Sequence, residues 1–462
     1  MRKQTGYQRR LSPVMMAGVL LCVSCTSLEG TEYEKTSAPE KKGWSAEGAS
    51  KISARQTTNP NWWKSFRNAQ LNNLIERAVS DNIDLKVLVA RTNTAEAAIG
   101  QARAASLPSL RAGAGASFDS STGVGSSSQF NTATSLSWEL DLWGKAKKGV
   151  EAQQAEVRAT QADWRAGYLS LVSDVAITYF QILQFDEQTK QQEKVLGDSQ
   201  RILKTLESMQ QEGVIENTRI LQQRAEINQQ SKDLLEIKRL RAIAENSLAT
   251  LLGTPAGNLR IPPGTLTQDV TIIDVPAGLP SDLLMRRPDI VAAEYRVLRA
   301  YNLTAEAKLA RLPSFGLTGR AGSASFKLSD LLKSFTVGIL PSLDIPIFDP
   351  AVNTRLKVSE AETKVAREEY RSVVIKAYQD VENALVNLES HKQQRKELLA
   401  QLAELRSVAG TVNEQLREGM VSQLEVFESG RSLLATEMAV LENKQLILSD
   451  TVRLYKALGG GW

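Results

Sequence analysis

The hydrophobic pattern along the chain changes period twice in each half of its length. Residues 66–104 carry apolar positions at helical spacing, and Pro108 stops that run because proline cannot extend the hydrogen-bond ladder. The period then becomes two. Leu110, Ala112, Ala114, Ala116 and Phe118 alternate with small or polar residues. Leu136, Trp138, Leu140 and Leu142 alternate with Ser135, Ser137, Glu139 and Asp141. This predicts two strands of about ten residues, the length a tilted membrane strand requires. In the second half a helical run over 282–310 ends before Pro313. Val337, Ile339, Leu343, Ile345 and Ile347 then keep one face, with Ser342 and Asp344 on the other. The Ser- and Gly-rich segments 119–132 and 322–334 read as the loops between strands.

Very long helices follow the strands. No proline interrupts 147–211 or 352–417, and about 65 residues at 1.5 Å each make roughly 100 Å of helix. Leu398, Leu402, Leu405, Ala409, Val412 and Leu416 are spaced 4-3-4-3-4, the seam of a coiled coil. Gly213 and Gly419 break these helices, and helices return through 218–250 and 424–458. The returning helices carry Ile220, Ile227 and Leu234, then Leu434, Met438, Leu441 and Leu448. Each half therefore sends an antiparallel helical hairpin far from its strands.

The parallel between the halves is a tandem duplication. Leu107-Pro108-Ser109-Leu110 recurs as Leu312-Pro313-Ser314-Phe315 at an offset of 205, and Glu139-Leu140-Asp141-Leu142-Trp143 recurs as Asp344-Ile345-Pro346-Ile347-Phe348. After one inserted residue the offset is 206: Asp174-Val175 matches Asp380-Val381, Glu212-Gly213 matches Glu418-Gly419, and Leu252-Gly253 matches Leu458-Gly459. The organisation expected is a signal peptide over 1–24, an extended N-terminal segment over 25–61, a first repeat over 62–253, an irregular Pro-rich connector over 254–281, and a second repeat with its tail over 282–462.

Charge and composition narrow the chemistry. The chain holds 56 Lys and Arg against 52 Asp and Glu, but Arg2, Lys3, Arg9 and Arg10 all precede residue 25, so removing these four leaves 52 of each sign. A neutral chain has no electrostatic footprint for nucleic acid. With one His, two Cys, no Met stripe, no Gly-rich phosphate loop and no nucleophile–base pair, neither a metal site nor an enzyme is expected. His391, in a charged helix, reads as a solvated surface residue, and Arg286-Arg287-Pro288-Asp289 reads as a helix start.

The N-terminus reads as an address. Residues 1–10 are positive, and the apolar run 14–23 is shorter than the roughly 20 residues that span a bilayer. Leu21-Cys22-Val23-Ser24-Cys25 is similar to a lipobox with Cys22 where Leu is usual. Cys25 is therefore expected to become a lipidated first residue, and this covalent lipid is the sole cofactor expected. Cleavage there leaves one cysteine and no intrachain disulfide.

Four membrane strands cannot close a barrel, because edge N–H and C=O groups would stay unsatisfied in lipid. Several copies must contribute, and a trimer of twelve strands is the smallest ring with a usable lumen; arithmetic also allows two, four or six chains. The competing reading, a periplasmic coiled-coil adaptor or scaffold lipoprotein, explains the hairpins and leaves the duplicated strands unused.

Five segments, Trp62-Trp63, 71–85 (LNNLIERAVSDNIDL), 138–145 (WELDLWGK), 279–294 (LPSDLLMRRPDIVAAE) and 454–462 (LYKALGGGW), together resemble the TolC-like outer-membrane efflux factors, above all their lipidated NodT/OprM-type branch. The resemblance implies a mainly α homotrimer with membrane β: a twelve-stranded outer-membrane barrel continuous with a periplasmic α-helical barrel and a mixed equatorial belt. It implies a passive exit duct in outer-membrane lipid, docked to a periplasmic adaptor and an inner-membrane pump, of RND type. It places adaptor docking at the hairpin tips 212–219 and 418–423, with Gly213, Val214, Gly419 and Met420 at the turns; the glycines themselves need do no more than end a helix. It places the periplasmic gate at Glu425 and Glu428, three apart on one helical face, which a solvated acidic face explains equally. In a trimer they would form six carboxylates that repel, raise one another's pKa and attract cations. Here Glu stands where Asp is usual, and Val421 where some members carry a locking Arg, so an apolar plug of Leu424 or Phe427 is expected in place of an Arg-centred network.

Overall fold

A computed structural model describes residues 33, 35–39, 41, 43–45, 61–121, 125–273 and 286–460. The expected signal peptide, Cys25 and parts of the 25–61 and 254–281 segments lie outside the described residues. After a 3-10 turn at Trp62–Phe66 come α1 (Ala69–Asp81), α2 (Ile83–Ala104), β1 (Ser109–Ser121), β2 (Gly125–Leu140), α3 (Lys145–Gln211) and α4 (Asn217–Leu251). The second half holds α5 (Pro288–Leu309), β3 (Ser314–Ser325), β4 (Thr336–Asp344), α6 (Pro350–Arg417) and α7 (Gln423–Ala457).

The four strands form one antiparallel sheet in the order β1-β2-β3-β4, with β1 and β4 as open edges. The register sorts the side chains by face. One row across the sheet is Leu110, Leu136, Gly319 and Ile339, and the next is Ala112, Thr134, Ala321 and Val337. The opposite face carries Arg111, Ser135, Arg320 and Gly338 in one row and Glu139, Gly316 and Ser342 in another. An apolar face thus backs a polar one, and Val337 and Ile339 remain above 70% exposed in the single chain. The segment 119–132 is mostly strand, not loop: Asp119 pairs with Ser127, and Phe118 with Ser128. Ser and Gly carry no apolar alternation, so cross-strand pairing there has no signature in the hydrophobic pattern. Likewise Ile345 and Ile347 fall beyond the end of β4.

The helices begin and end by local chemistry. Asn68 Oδ1 accepts from Leu71 N and Asn82 Oδ1 from Leu85 N, each at 2.8 Å, which caps α1 and α2. Pro350 starts α6 behind the Asp349 cap. The helices α3, α4, α6 and α7 all end on glycines in the left-handed region, Gly213, Gly253, Gly419 and Gly459. In each case the glycine amide donates three residues back and the next amide five back, at 2.9–3.1 Å, a Schellman motif.

The two pairs of glycines differ in surroundings. A Cβ on Gly253 would meet the Asp81 carbonyl oxygen at 2.4 Å and one on Gly459 the Arg286 oxygen at 3.0 Å, whereas Gly213 and Gly419 face open space. Gly253→Ala is therefore expected to cost the roughly 1–2 kcal/mol of a left-handed Cβ plus a backbone collision, and Gly213→Ala only the former. Thermal melting of the detergent-solubilised protein checks this; equal losses would contradict it.

Packing follows the duplication. One buried cluster joins Trp62, Phe66, Leu71, Ile75, Val172, Phe180 and Leu248. A second joins Ile290, Val297, Tyr370, Val374, Val381, Ile447 and Leu454. Twin clamps hold the helix ends: Asn82 Nδ2 donates to Leu251 O at 3.0 Å, and at the same place in the second repeat Arg287 Nη1 donates to Ala457 O at 3.1 Å. Arg287 also pairs with Asp289 at 2.7 Å and Asp380 at 2.9 Å, so the 286–289 motif starts α5 as expected and ties it to α6.

His391 departs from expectation. Its Nδ1 lies 2.6 Å from Oδ2 of the fully buried Asp450, whose Oδ1 accepts from Arg453 Nη1 at 3.1 Å. It is a half-buried side chain paired with a buried acid between α6 and α7, not a solvated one.

Candidate functional site

The α3–α4 and α6–α7 turns lie at the far ends of helices of 67 and 68 residues that start just after strands β2 and β4, and residues beside both turns line one cavity, so the tips form one end remote from the strands. Val214 and Met420 follow the turn glycines and are each about three-fifths exposed, at 62% and 61%. The tips therefore present a glycine turn and an uncovered apolar side chain at matching positions.

Just above the tips, a cavity of about 230 Å³ opens between α3, α4 and α7. Leu206 and Phe427 give it an apolar wall, and Arg219, Leu424, Glu428 and Arg431 line its mouth. Three of the expected gate residues, Leu424, Phe427 and Glu428, thus share one cleft with two arginines from which no expectation started. Glu425 behaves differently. Its carboxylate accepts from the Ser422 amide at 2.8 Å and from the Ser422 hydroxyl, a capping box at the start of α7. The Ser422 hydroxyl and the backbone amides hold the Glu425 carboxyl below the usual range, with a further contribution from Arg219. Within one subunit, hydrogen bonds to the charged form dominate at Glu425; the mutual upward push expected of six carboxylates belongs to the trimer.

Between tips and sheet lies the belt. Arg241 joins Asp186 and, at 2.9 Å, Glu245, and donates to Ile261 O at 2.9 Å, stitching the connector onto α3 and α4. Lys444 of α7 is buried and donates to Leu266 O at 2.7 Å and Thr267 O at 3.0 Å. Burial, with the Arg395 charge second, pushes its pKa down to about 8. The unfolded chain, with an ordinary value of 10.5, keeps a proton that the fold releases between pH 8 and 10.5. Stability relative to a Lys444→Met variant should rise across that window and be flat below it. Melting curves of both proteins at pH 7.5 and 9.5 measure the change.

The N-terminal segment runs along the second repeat. Lys35 pairs with Glu294 at 3.0 Å, Lys41 with Glu382 at 2.8 Å, and the Tyr378 hydroxyl donates to Pro39 O at 3.2 Å. Tyr33 stacks edge-on with Tyr301, and Trp44 with Tyr378. At the strand–helix junction Trp138 Nε1 donates to Ser106 O at 3.0 Å and Trp143 Nε1 to Pro313 O at 2.6 Å, aromatic anchors of the kind found at membrane interfaces.

The comparisons agree with this geometry. The family described as "Outer membrane efflux protein" matches residues 74–254 and 279–460, one match per repeat. The pyoverdine export outer membrane protein OpmQ of Pseudomonas putida is 31% identical over 434 residues, covering 91% of this chain and 92% of its own. The cation efflux system protein CusC of Escherichia coli is 28% identical over 459 residues, covering 98% and 100%. Among solved structures, a CusC crystal structure superposes with a TM-score of 0.83 at 27% identity over 93% of this chain and 99% of its own. The open-state MtrE outer membrane channel of Neisseria gonorrhoeae does so with 0.80 at 27%, over 93% and 98%. These are channels, and the adaptor or scaffold reading has no place for a sheet with an apolar outer face and two open edges. Three copies supply twelve strands, the barrel closes, and six hairpins continue its wall into the periplasm. The chain belongs to the outer membrane efflux protein family, and it is the trimeric outer-membrane channel of a tripartite efflux system.

Proposed function

We propose that the tips at Gly213, Val214, Gly419 and Met420 dock a periplasmic adaptor, that the cleft beside them is the periplasmic gate, and that an RND-type inner-membrane pump drives cargo through an otherwise passive duct. The observation that carries this reading is the shared cleft: Leu424, Phe427 and Glu428 from the second hairpin face Arg219 from the first, so parting the hairpins opens the end of the tube. Apolar side chains at a constriction oppose wetting, and the charges beside them govern ion passage. The relatives named for pyoverdine export and for cation efflux stand at 31% and 28% identity, which supports a duct whose cargo is chosen by the pump.

Lipidation of Cys25 fits the same arrangement. Eight residue-to-residue steps lead from Cys25 to Tyr33 and span at most roughly 28 Å. Tyr33 lies near Arg367, seventeen residues into α6, or about 26 Å from its start beside the sheet. An acyl chain on Cys25 can therefore reach the leaflet at the base of the barrel, and no other cofactor is needed.

Glu428→Ala and Phe427→Ala are expected to raise single-channel conductance in planar bilayers severalfold, and Glu425→Ala to do so less, since that carboxylate is engaged in the helix cap. Unchanged currents in all three would remove the gate from this cleft.

A further inference from the structure

The tips are twins in backbone and opposites in charge. Arg219 and Glu425 stand 206 positions apart, each six residues after its turn glycine and each the third residue of its helix. In the second repeat a carboxylate at that position caps α7. In the first repeat the same position holds a cation at a helix N-terminus, where the macrodipole disfavours it. The acid at the start of α4 is the N-cap residue Glu216, which makes no side-chain cap; the first turn itself holds no acid, and among the described residues no salt bridge within 4 Å joins Arg219. The guanidinium is exposed, lines the cleft beside Glu428, and helps to hold the Glu425 carboxyl ionised.

We infer that Arg219 is a charge-selectivity residue of the periplasmic mouth. The inference rests on the gate reading and extends it. In a trimer the two repeats give six quasi-equivalent positions, so Arg219 and Glu425 alternate around the opening as three cations and three anions. The mouth is then charge-balanced at this level, in place of a wholly acidic ring. Anionic solutes meet three guanidinium groups where an all-carboxylate mouth would exclude them, and cations still find the carboxylates. Helix capping does not account for Arg219, because an acid at that position would serve the helix N-terminus better, as Glu425 does in α7.

The test is the reversal potential of the full-length trimer in planar bilayers under a tenfold KCl gradient. Arg219→Gln should raise the K⁺/Cl⁻ permeability ratio severalfold, Arg219→Glu should raise it further, and Glu425→Gln, which keeps the capping geometry, should lower it. The exchange Arg219→Glu with Glu425→Arg should return the ratio to within about twofold of the original channel, since the ring keeps its net charge. If Glu425→Gln moves the ratio and Arg219→Gln does not, Arg219 lies off the ion path and the inference falls while the gate stands. If neither substitution moves the ratio, the selectivity role is lost, and the gate is then judged by the Glu428→Ala and Phe427→Ala currents alone. Heat-labile trimers on gels confirm that each variant has assembled.

Discussion

Leu136→Arg should abolish the outer-membrane trimer. Leu136 lies in the central strand pair, in the apolar row with Leu110, Gly319 and Ile339, and that row faces lipid once the barrel closes. An arginine on the lipid face costs about 2–4 kcal/mol per copy at the bilayer midplane and less toward the interface that Trp138 marks, and three copies share one barrel. Ser137→Arg, one residue along and on the polar face between Ser109 and Thr318, should assemble normally. The heat-labile trimer in outer-membrane fractions distinguishes them. Loss of both, or of neither, would show that the two faces are not lipid and lumen.

Asp450→Ala should destabilise the helical body markedly. It removes the fully buried acceptor of both His391 and Arg453, whose own side chains are 20% and 53% exposed and can turn to water, so the loss should stay below the roughly 3–5 kcal/mol of a wholly buried pair. The first repeat shows that the backbone does not demand the pair: at the matching positions it has Phe185 and Ala244. His391→Phe together with Asp450→Ala rebuilds that apolar arrangement and should recover most of the lost melting temperature. A double variant as unstable as the single would mean that the loss comes from elsewhere.

These two sites also mark what the sequence makes legible. Leu136 and its row were readable, because a period of two survives wherever large apolar residues alternate with Ser, Glu and Asp. The outer ends of β1 and β2 were not, because Ser126, Ser127 and Ser128 pair across the sheet without any apolar signal. The hairpins, their glycine turns and the start of α5 at Pro288 were readable from proline, glycine and the coiled-coil seam. The His391–Asp450 pair spans 59 residues and leaves no local trace, so His391 looked like one more polar residue on a charged helix. Setting the repeats side by side finds it, as a polar pair replacing an apolar one. The same holds at the proposed gate: Glu425 and Glu428 are visible in the second repeat, while Arg219 becomes meaningful only as the twin of Glu425. The capping of α7 by Glu425 is a matter of side-chain rotamer, which spacing alone does not determine.

The oligomeric mass of the detergent-extracted protein, measured alongside its activity in planar bilayers, bears on the whole account. Three copies per particle, found in the outer membrane and forming discrete conductive pores, are the expected result. A single copy that stays soluble without detergent, with its four strands folded against its own helices and no pore, would contradict it.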